Sequence, residues 1–494
     1  MEISERIEAL FRDEAGGAAV LFNDDVWTWG DLARTRDGMV AILDAAGIPS
    51  EAGVALVLRQ RPQCFGAYVS VLGMRRCAVL VTPIQPDAAM CEDLSKLRPQ
   101  VLVADSEDWS RAGLIDVLRK AGTVGVELTG DRQQPVRVVV GLESVGSGAH
   151  YRPVADSAVT ILTSGTTGPP KRIPVEYAQF ARKQPPELRA VGERGAAISA
   201  VPLMSLGGVM GATEAIWRGR PTALMERFDV WRWAELVREY QPRQLAAPPA
   251  VARMLLDAGV PKEYLASASR YRAASAPMDP ATADEFEARY DIPVVTAYGA
   301  TEFLGAVTGF IDEDLPLVKT KRGSVGRALP GSKVRIVDQE SGDELPPGVV
   351  GLLEADPPQR PADAPAGWMR TNDLAQMDED GFVWIEGRAD DVLVRGGFKV
   401  ATNAVGETLR AHAAVEDAAV VGLPDPRAGQ VPVAAVVLRD RHTALTAEAL
   451  MAWVAEHQPG YCVPTKVVFV DSLPRNAMFK VLAHEVRAMF QSNT

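Results

Sequence analysis

Histidine is scarce in this chain, which has only five among its 494 residues. Four of them, His412, His442, His457 and His484, fall in the last hundred residues, so His150 stands alone in the main body. A Ser-His-Asp hydrolase or a histidine-rich metal site in the main body would need more than one. The shortage favours electrostatic catalysis.

Paired cysteines and long apolar runs are also missing. Cys64, Cys77, Cys91 and Cys462 have no paired spacing that would indicate a zinc site or a disulfide framework, so we expect buried thiols. No run is long enough to cross a bilayer, and the polar segment Met1–Asp13 lacks the apolar core of a signal peptide. These absences predict a cytoplasmic protein without a membrane span.

An excess of positive charge is missing too, since 52 Lys and Arg residues stand against 64 Asp and Glu residues for a net charge of −12. Binding to a nucleic-acid backbone depends on basic patches, so nucleic acid is not expected as a partner. The hydrophobic share of 47% is ordinary for a globular protein. A length of 494 residues predicts two or more domains.

Short aliphatic runs alternate with longer helical patterns in the first part of the chain, which predicts an α/β fold. The predicted strands include Val54–Leu58, Ala78–Thr82, Val101–Ala104 and Val159–Leu162, and the predicted helices include Trp29–Gly47 and Leu114–Ala121.

Glycine and proline punctuate the chain after Gly323, around the runs Val334–Val337 and Val349–Glu354, which indicates a small β-rich subdomain. Pro357–Gly367 is predicted to be a surface loop. We place a boundary after the predicted strand Phe382–Glu386, with an N-terminal domain of residues 1–386, a hinge at 387–391 and a C-terminal domain of 392–494. The C-terminal domain should have β-rich and helical parts, including Ala418–Leu423, Val431–Arg439 and Ala447–Glu456.

The most informative stretch follows the apolar run Ala158–Leu162 and ends in a single lysine. It consists of Thr163, Ser164, Gly165, Thr166, Thr167, Gly168, Pro169, Pro170 and Lys171. Glycines let backbone N–H groups turn toward an anion, hydroxyls add donors, and a lysine supplies a point charge for phosphates. The prolines exclude a Walker A loop, in which lysine directly follows the last glycine. A Ser/Thr/Gly surface loop without a ligand is the ordinary alternative.

All nine positions match the phosphate loop of the adenylate-forming enzymes, and the chain resembles the acyl-CoA synthetases of that superfamily over essentially its whole length. The early segment Trp27–Leu32 is similar to the family's Thr-Tyr-x-Glu-Leu. The resemblance implies a large N-terminal domain of α/β sheets with a β-rich subdomain, and a small mobile α+β C-terminal domain. It also implies that the loop from Thr163 to Lys171 binds ATP, with Thr167 near Mg²⁺.

Further motifs follow in the family's order. Tyr298-Gly299-Ala300-Thr301-Glu302 resembles the segment in which tyrosine stacks on adenine, threonine contacts phosphate and glutamate holds Mg²⁺ between phosphates. The residue types suit these tasks, because an aromatic face suits a purine and a carboxylate suits a hard cation. Taken alone, the same residues could be a strand end and a turn.

Two other segments resemble nucleotide contacts of the family. The segment Ala274–Met278 is similar to the adenine shelf, and implies AMP contacts at Ser275, Ala276 and Pro277. Arg370-Thr371-Asn372-Asp373 resembles Arg-Thr-Gly-Asp, whose aspartate grips the ribose hydroxyls. Asn372 replaces glycine, and asparagine tolerates a positive φ better than other residues, so the turn and the role of Asp373 are expected to survive.

The segment Gly387–Asp391 resembles the interdomain hinge, in which Arg388 approaches ribose or phosphate and Asp390 carries the pivot. Leu473–Lys480 resembles the loop that delivers the adenylation lysine. Lys480 is the predicted catalytic residue together with Thr301 and Glu302, and its cation would bridge carboxylate and α-phosphate oxygens. Phe479 departs from the family pattern, which has glycine before the lysine.

The second substrate is implied by Arg395-Gly396-Gly397-Phe398, which matches the segment that lines the pantetheine tunnel of coenzyme A ligases. Gly396 and Gly397 are therefore predicted to bind coenzyme A. Thr402 and Ala404 replace the family's proline and glutamate. These substitutions are compatible with either coenzyme A or an amine as the acceptor.

The acid pocket is the least defined part of the site. Ser205 stands where the family often has a gating histidine, and the small residues around Gly208 favour a hydrophobic acyl or aryl pocket, although they could equally be plain core. The predicted pocket residues are Met204, Ser205, Gly208 and Gly299.

The resemblance implies that Mg·ATP and a carboxylic acid give an acyl-adenylate and pyrophosphate, after which coenzyme A displaces AMP to give a thioester. An amide synthetase that uses an amine as acceptor is the first alternative. A luciferase-like oxidation of the adenylate and a non-catalytic nucleotide-binding scaffold remain open as well. Whether the chain forms a homodimer also remains open.

Overall fold

The computed structural model describes residues 2–162, 171–182, 195–361, 364, 366–389, 392–395, 398–425, 427–440, 445–476 and 479–491. The chain forms two compact units. The first unit comprises Met1–Val307, Ile311–Val318 and Pro357–Ala366, and the second comprises Thr308–Phe310, Lys319–Asp356 and Gly367–Thr494. The predicted α/β fold class is confirmed.

The described helices occur in both units. They are α1 (Ile3–Asp13), α2 (Trp29–Ala45), α3 (Pro62–Gly73), α4 (Asp87–Leu97), α5 (Leu114–Ala121), α6 (Tyr177–Arg182), α7 (Leu206–Trp217), α8 (Val230–Tyr240), α9 (Pro249–Asp257), α10 (Pro280–Tyr290), α11 (Thr402–Arg410), α12 (Ala447–His457) and α13 (Ala483–Gln491). Within the described residues, none of these helices is long and apolar enough to cross a membrane.

The described strands of the first part of the chain are β1 (Ala18–Phe22), β2 (Asp25–Thr28), β3 (Val54–Val57), β4 (Ala78–Val81), β5 (Val101–Asp105), β6 (Val124–Leu128), β7 (Val136–Val138), β8 (Ser157–Leu162), β9 (Arg172–Glu176), β10 (Ala197–Ile198), β11 (Thr222–Leu224), β12 (Gln244–Ala247), β13 (Arg270–Ala273) and β14 (Val294–Ala300). Those that follow are β15 (Gly305–Gly309), β16 (Arg327–Ala328), β17 (Lys333–Val337), β18 (Gly351–Asp356), β19 (Met369–Met377), β20 (Val383–Arg388), β21 (Val392–Arg395), β22 (Phe398–Ala401), β23 (Val415–Asp425), β24 (Gly429–Leu438) and β25 (Lys466–Phe469).

The first unit is built around a sheet in the order β7-β6-β5-β3-β4-β8-β9. Its central strands are parallel, whereas β7 and β9 run antiparallel at the edges. Alternate residues of one strand enter two different cores: Leu56 packs with α1 to α3, and Ala55 and Val57 pack with α4 and α5. Because both faces are buried, the strands are uniformly aliphatic, which is the pattern that the sequence displays.

A second parallel sheet runs β12-β13-β14 and continues to β15 and β16. One face of β12, β13 and β14 is covered by α8, α9 and α10, which bury Tyr271 and Phe286 completely. Strand β15 passes from the first unit to the second after Val307. A third sheet, β10-β11-β1-β2, completes the first unit.

The second unit contains two further sheets. One is antiparallel in the order β17-β18-β19-β20, and the other has the order β22-β21-β24-β23, with β25 paired to β24. Helices α11 and α12 cover one face of the second sheet, and α13 covers the other. The predicted division at residues 386 and 392 stays a prediction, since the compact second unit includes both sheets.

The predicted elements are found with small shifts at their ends. Helix α5 spans Leu114–Ala121 as predicted, and α2 ends at Ala45 rather than Gly47. Gly47 has a φ of 65°, so it turns the chain out of the helix, which is a common use of glycine there. Of the expected buried thiols, Cys91 is only half-buried, and the other three cysteines are buried.

Candidate active site

The predicted site residues fall into three groups. Those outside the described residues are Thr163, Ser164, Gly165, Thr166, Thr167, Gly168, Asp390, Gly396 and Gly397. Those in the first unit are Lys171, Met204, Ser205, Gly208, Ser275, Ala276, Pro277, Tyr298, Gly299, Thr301 and Glu302. Those in the second unit are Asp373, Arg388 and Lys480.

The predicted phosphate loop connects two paired strands. Leu162 at the end of β8 is the antiparallel partner of Arg172 at the start of β9, and the exposed Lys171 directly precedes β9. Arg172 also donates a hydrogen bond of 2.7 Å to Asp93 in α4. The Arg172–Asp93 ion pair fixes the backbone next to Lys171. Lys171 ends the predicted phosphate loop and supplies its predicted positive charge.

The adenine shelf and the Tyr298 segment lie at the same edge of a sheet. Strands β13 and β14 are parallel, and the segment Ala274–Met278 follows the first while Tyr298–Glu302 ends the second. The carboxyl ends of parallel strands are where α/β folds place ligands. Ser275 has a φ of 74°, in the left-handed region that favours glycine, and the family pattern has glycine at this position.

Tyr298 makes an aromatic contact, whereas the position of Gly299 requires a residue without a side chain. Tyr298 is half-buried, and its ring lies 6.5 Å from the ring of Phe303 between centroids. A Cβ atom built at Gly299 would lie 2.1 Å from the Gly305 carbonyl oxygen, so only glycine allows β14 and β15 to approach this closely. Gly299 therefore keeps the end of β14 in place.

Thr301 and Glu302 occupy a short 3-10 turn, Thr301–Phe303. The turn closes at Leu304, whose φ is 53° and whose N–H donates to the Thr301 carbonyl oxygen at 3.0 Å. Both predicted catalytic side chains are half-buried. In the part of the chain that the structure describes, no three His, Cys, Asp or Glu side chains cluster to hold a metal. One carboxylate such as Glu302 suffices for a Mg²⁺ that arrives with ATP, because Mg²⁺ usually binds one or two carboxylates, water and substrate phosphates.

Asp373 and Arg388 face each other across β19 and β20 as register partners. Their side chains approach to 3.8 Å between Oδ1 and Nη1, and the Asp373 N–H donates to Thr371 Oγ1 at 3.0 Å. The expectation of a turn at Asn372 is wrong, because Asn372 lies within β19, has no positive φ, and accepts a hydrogen bond of 2.7 Å from the Ala389 N–H. An extended conformation suits any side chain, which explains why glycine is not needed there.

Arg370, the first residue of the same motif, has a structural partner. It donates to Glu354 at 2.9 Å, and Arg335 donates to the same carboxylate at 2.7 Å. Burial raises the pKa of Glu354, but the hydrogen bonds from the two arginines outweigh burial and lower the pKa overall. Glu354 was not identified from the sequence, because no motif in the neighbouring sequence indicates that this carboxylate binds two arginines.

Lys480 lies at the end of a compact turn. The Asn476 N–H donates to the Lys480 carbonyl oxygen at 2.9 Å, and the Lys480 N–H donates back to Asn476 Oδ1 at 3.0 Å. Phe479 has a φ of 60°, so the backbone adopts the left-handed conformation expected of glycine despite the substitution. Arg475 donates to the Phe479 carbonyl oxygen and to Asp417 in β23. The turn thus leaves the Lys480 side chain exposed.

The predicted pocket residues Ser205 and Gly208 form the start of α7. Ser205 is the N-cap and accepts a hydrogen bond of 3.1 Å from the Gly208 N–H. A Cβ at Gly208 would lie 2.1 Å from the Pro202 carbonyl oxygen, so glycine is needed for packing. By contrast, Gly207 and Gly211 are exposed, and no atom lies within 4 Å of a Cβ built at Gly211. The open side of α7 is therefore the Gly207 and Gly211 side.

Gln60 is a contact of the pocket segment that sequence reasoning missed. Its side-chain amide accepts a hydrogen bond of 2.8 Å from the Leu203 N–H and donates at 3.4 Å to the Val201 carbonyl oxygen. The signal that could have found it is its position three residues after the end of a parallel strand, β3, where ligand-facing residues are concentrated.

The predicted coenzyme A glycines lie between two paired residues. Arg395 ends β21, Phe398 begins β22, and the two are antiparallel register partners. The Arg395 guanidinium donates to the carbonyl oxygens of Tyr461 and Val463 at 3.0 and 2.9 Å. Arg395 thus has a structural role next to the glycines.

Two families match the chain along its length. Residues 10–358 match the AMP-binding enzyme family, and residues 405–480 match the AMP-binding enzyme C-terminal domain. Among curated relatives, the 4-coumarate--CoA ligase-like 6 protein of Oryza sativa subsp. japonica is 28% identical over 89% of this chain and 78% of that protein. The 2-succinylbenzoate--CoA ligase of Geobacillus sp. (strain WCH70) is 30% identical over 68% of this chain and 70% of that protein.

Solved structures share the fold. The ATP-bound MatB of Rhodopseudomonas palustris has a TM-score of 0.80 and 23% identity, and covers 99% of each chain. The amide bond synthetase McbA of Marinactinospora thermotolerans has a TM-score of 0.76 and 24% identity, again over 99% of each chain. The two family matches show that the chain belongs to the AMP-binding enzyme family and is an AMP-forming acid ligase.

Proposed function

We propose that this ligase adenylates an acyl or aryl carboxylic acid and transfers the acyl group to coenzyme A. In the first step a carboxylate oxygen bonds to the α-phosphorus of ATP, and the bond to the pyrophosphate leaving group breaks. In the second step the thiolate sulfur of coenzyme A bonds to the acyl carbon, and AMP leaves with the oxygen that joined it to the acyl group.

The observation that carries the proposal is the placement of two motifs at one edge of the β12-β13-β14 sheet. Ser275 to Pro277 follow β13, and Tyr298 to Glu302 end the adjacent parallel strand β14. A flat base can lie between a backbone shelf and an aromatic ring. Thr301 and Glu302 follow within the same segment, so phosphate and cation contacts would lie beside the base.

Three side chains are assigned to stabilise the negative charge of the substrates in the first step. We assign Lys480 to the carboxylate and α-phosphate oxygens, where a fixed cation stabilises the negative charge of the transition state. We assign Thr301 to phosphate and Glu302 to Mg²⁺, which supplies Lewis-acid neutralisation of the phosphates when bound. The phosphate loop through Lys171 is assigned to the pyrophosphate end.

The ribose is assigned to Asp373. Its carboxylate is held beside Arg388 and carries acceptor oxygens suited to two hydroxyl donors. The contact with Arg388 orients the Asp373 carboxylate.

The acid is assigned to the open side of α7. Gly207 and Gly211 leave room there, and Met204 is half-buried at the helix start, next to Ser205. Gln60 fixes the backbone of the segment that leads into α7. Small and apolar groups of this kind suit an acyl or aryl body.

Coenzyme A is preferred to an amine as acceptor because the sequence has the adjacent residues Gly396 and Gly397, and glycine has no side chain to block a thin thiol arm. Helix α11 begins at the buried Thr402 without the family's proline, and Thr408 Oγ1 donates to the Ala404 carbonyl oxygen at 3.0 Å. The helix thus forms with the substituted residues. Since ATP and coenzyme A are cytoplasmic metabolites, we place the reaction in the cytoplasm.

The acceptor is tested by AMP release with a panel of acyl and aryl acids, in the presence of coenzyme A, of primary amines, or of neither. The proposal expects coenzyme A to accelerate AMP release and a thioester to accumulate. Acceleration by amines alone would replace it with an amide synthetase. Absence of pyrophosphate release with every acid would favour a nucleotide-binding scaffold.

A further inference from the structure

The β12-β13-β14 sheet has one face covered by helices and one partly open face, called the open face below, on which Val295 of β14 is buried. Leu245, Tyr271 and Val294 are register neighbours on the face that packs against the helices. Side chains alternate along a strand, so Ala246 and Arg272 point the other way. Both are exposed, and Ala246 and Arg272 are direct register partners. The open face thus combines small side chains with an arginine.

Two arginines lie on this open face, and their surroundings differ. Arg270 forms an ion pair of 2.6 Å with Asp312. The Arg272 side chain has no hydrogen bond or ion pair with any residue in the described part of the chain. Two positive charges lie two residues apart, and the structure provides a carboxylate for one of them.

The protein around Arg272 also affects its pKa, although the residue is exposed. Burial by the surrounding protein, and then the charge of Arg270, lower the pKa of Arg272. An ordinary surface arginine extends into water and is not desolvated. Val295, the register partner of Arg272 on the same face, is only 1% exposed, so protein covers the sheet beside Arg272 while Arg272 itself stays exposed. This is the arrangement of a cation at the edge of a cleft.

The cleft lies next to the candidate active site. Arg272 is one residue before the end of β13, after which the adenine shelf begins. Its partner in β14 is Val295, three residues before Tyr298. At about 3.3 Å per residue and about 4.8 Å between strands, the Cα atoms of Arg272 and Tyr298 lie roughly 11 Å apart along the sheet. Side chains alternate along β14, so Tyr298 lies on the helix-covered face with Val294. Gly299, a predicted pocket residue, lies instead on the face of Val295 and Arg272. A small acid bound at Gly299 would therefore reach toward Arg272.

Resting on the proposed function, we infer that Arg272 binds a second anionic group, a carboxylate or a sulfonate, at the end of the acid substrate remote from the reacting carboxylate. The candidate phosphate contacts follow the strand ends, whereas Arg272 precedes the end of its strand. The part of the acid substrate that reaches Arg272 therefore runs along the face of the sheet, away from the candidate phosphate contacts. A planar guanidinium binds a carboxylate through two parallel hydrogen bonds. The substrate class is an acid with an apolar body and a distal negative charge.

The test measures pyrophosphate release with matched acids that differ only in a distal carboxylate or sulfonate. The variants are Arg272→Met, Arg272→Lys, and Arg270→Met as the control on the same face. The wild type should prefer the charged acids by about tenfold or more, as expected for hydrogen bonds to a charged group. Arg272→Met should lose this preference without a change in the KM for ATP, Arg272→Lys should keep part of it, and Arg270→Met should keep it.

Three results would overturn the inference. The wild type could show no preference for a distal charge, or Arg272→Met could keep the preference. A rise in the KM for ATP or coenzyme A in Arg272→Met, with an unchanged acid preference, would assign the arginine to a phosphate. Failure of the proposed function differs from all three, because then no acid of either kind would support pyrophosphate release by the wild type.

Discussion

Asn476 and Lys480 are joined by two hydrogen bonds, one from the Asn476 N–H to the Lys480 carbonyl oxygen and one from the Lys480 N–H to Asn476 Oδ1. The asparagine side chain therefore holds the backbone of the lysine that we assign to adenylation. Rates of reactions that depend on a positioned charge fall steeply with displacement of about 1 Å.

Asn476→Ala should slow pyrophosphate release about tenfold or more, because the Lys480 N–H loses its acceptor and the turn loosens. Thioester formation from a synthetic acyl-adenylate should stay unchanged, since that step does not use Lys480. Asn476→Asp, which keeps an acceptor oxygen, is the matched control. Equal losses in both half-reactions would mean that the substitution damages the fold and not the lysine.

Phe479 adopts a left-handed backbone conformation, with a φ of 60°. Phe479→Gly should retain pyrophosphate release, because glycine adopts this conformation without strain. Phe479→Val should lower it about tenfold, since β-branched residues are genuine outliers there. The comparison is made by single-turnover adenylation, and similar rates for the two variants would speak against a role for this conformation.

Gly299 and Gly211 should respond oppositely to the same substitution. Gly299→Ala places a Cβ against the Gly305 carbonyl and should destabilise the fold by about 1–3 kcal/mol or more. Gly211→Ala adds a methyl group in open space inside α7 and should stabilise by up to about 1 kcal/mol. Urea unfolding measures the free energy of unfolding of both variants. A Gly211→Ala variant less stable than the wild type would show that the space beside Gly211 is not open.

Glu354 should contribute pH-dependent stability to the second unit. Its pKa is lowered overall by Arg370 and Arg335 against the opposing effect of burial, so the contribution is present above the unfolded pKa of about 4.3 and is lost as pH falls through the folded pKa. Glu354→Gln should cost about 1–3 kcal/mol at pH 7.

The measurement for Glu354 is urea unfolding of the wild type and Glu354→Gln from pH 7 to pH 3. The difference between them should shrink as the pH drops below about 4.3. The exposed Glu379→Gln is the control and should track the wild type. A difference that stays constant with pH would show that the carboxylate charge contributes nothing.

The sequence predicted the α/β fold and the strands of the first sheet well, because strands such as β3 and β4 are buried on both faces and are uniformly aliphatic. It could not predict the conformation of Asn372. The motif was expected to form a turn, but pairing between β19 and β20 is a tertiary contact that extends the chain there. The sequence also could not predict that Arg270 rather than Arg272 has an ion-pair partner, because Asp312 lies far from Arg270 along the chain.

The most direct test of the account is pyrophosphate release from Mg·ATP, with an acid that the wild type accepts, in Lys480→Ala and in the control Lys319→Ala, which removes another exposed lysine of the second unit. We predict that Lys480→Ala loses at least about hundredfold in adenylation, the order of effect of removing one preorganised charge, while Lys319→Ala is unchanged. Adenylation by Lys480→Ala at the wild-type rate would contradict the account.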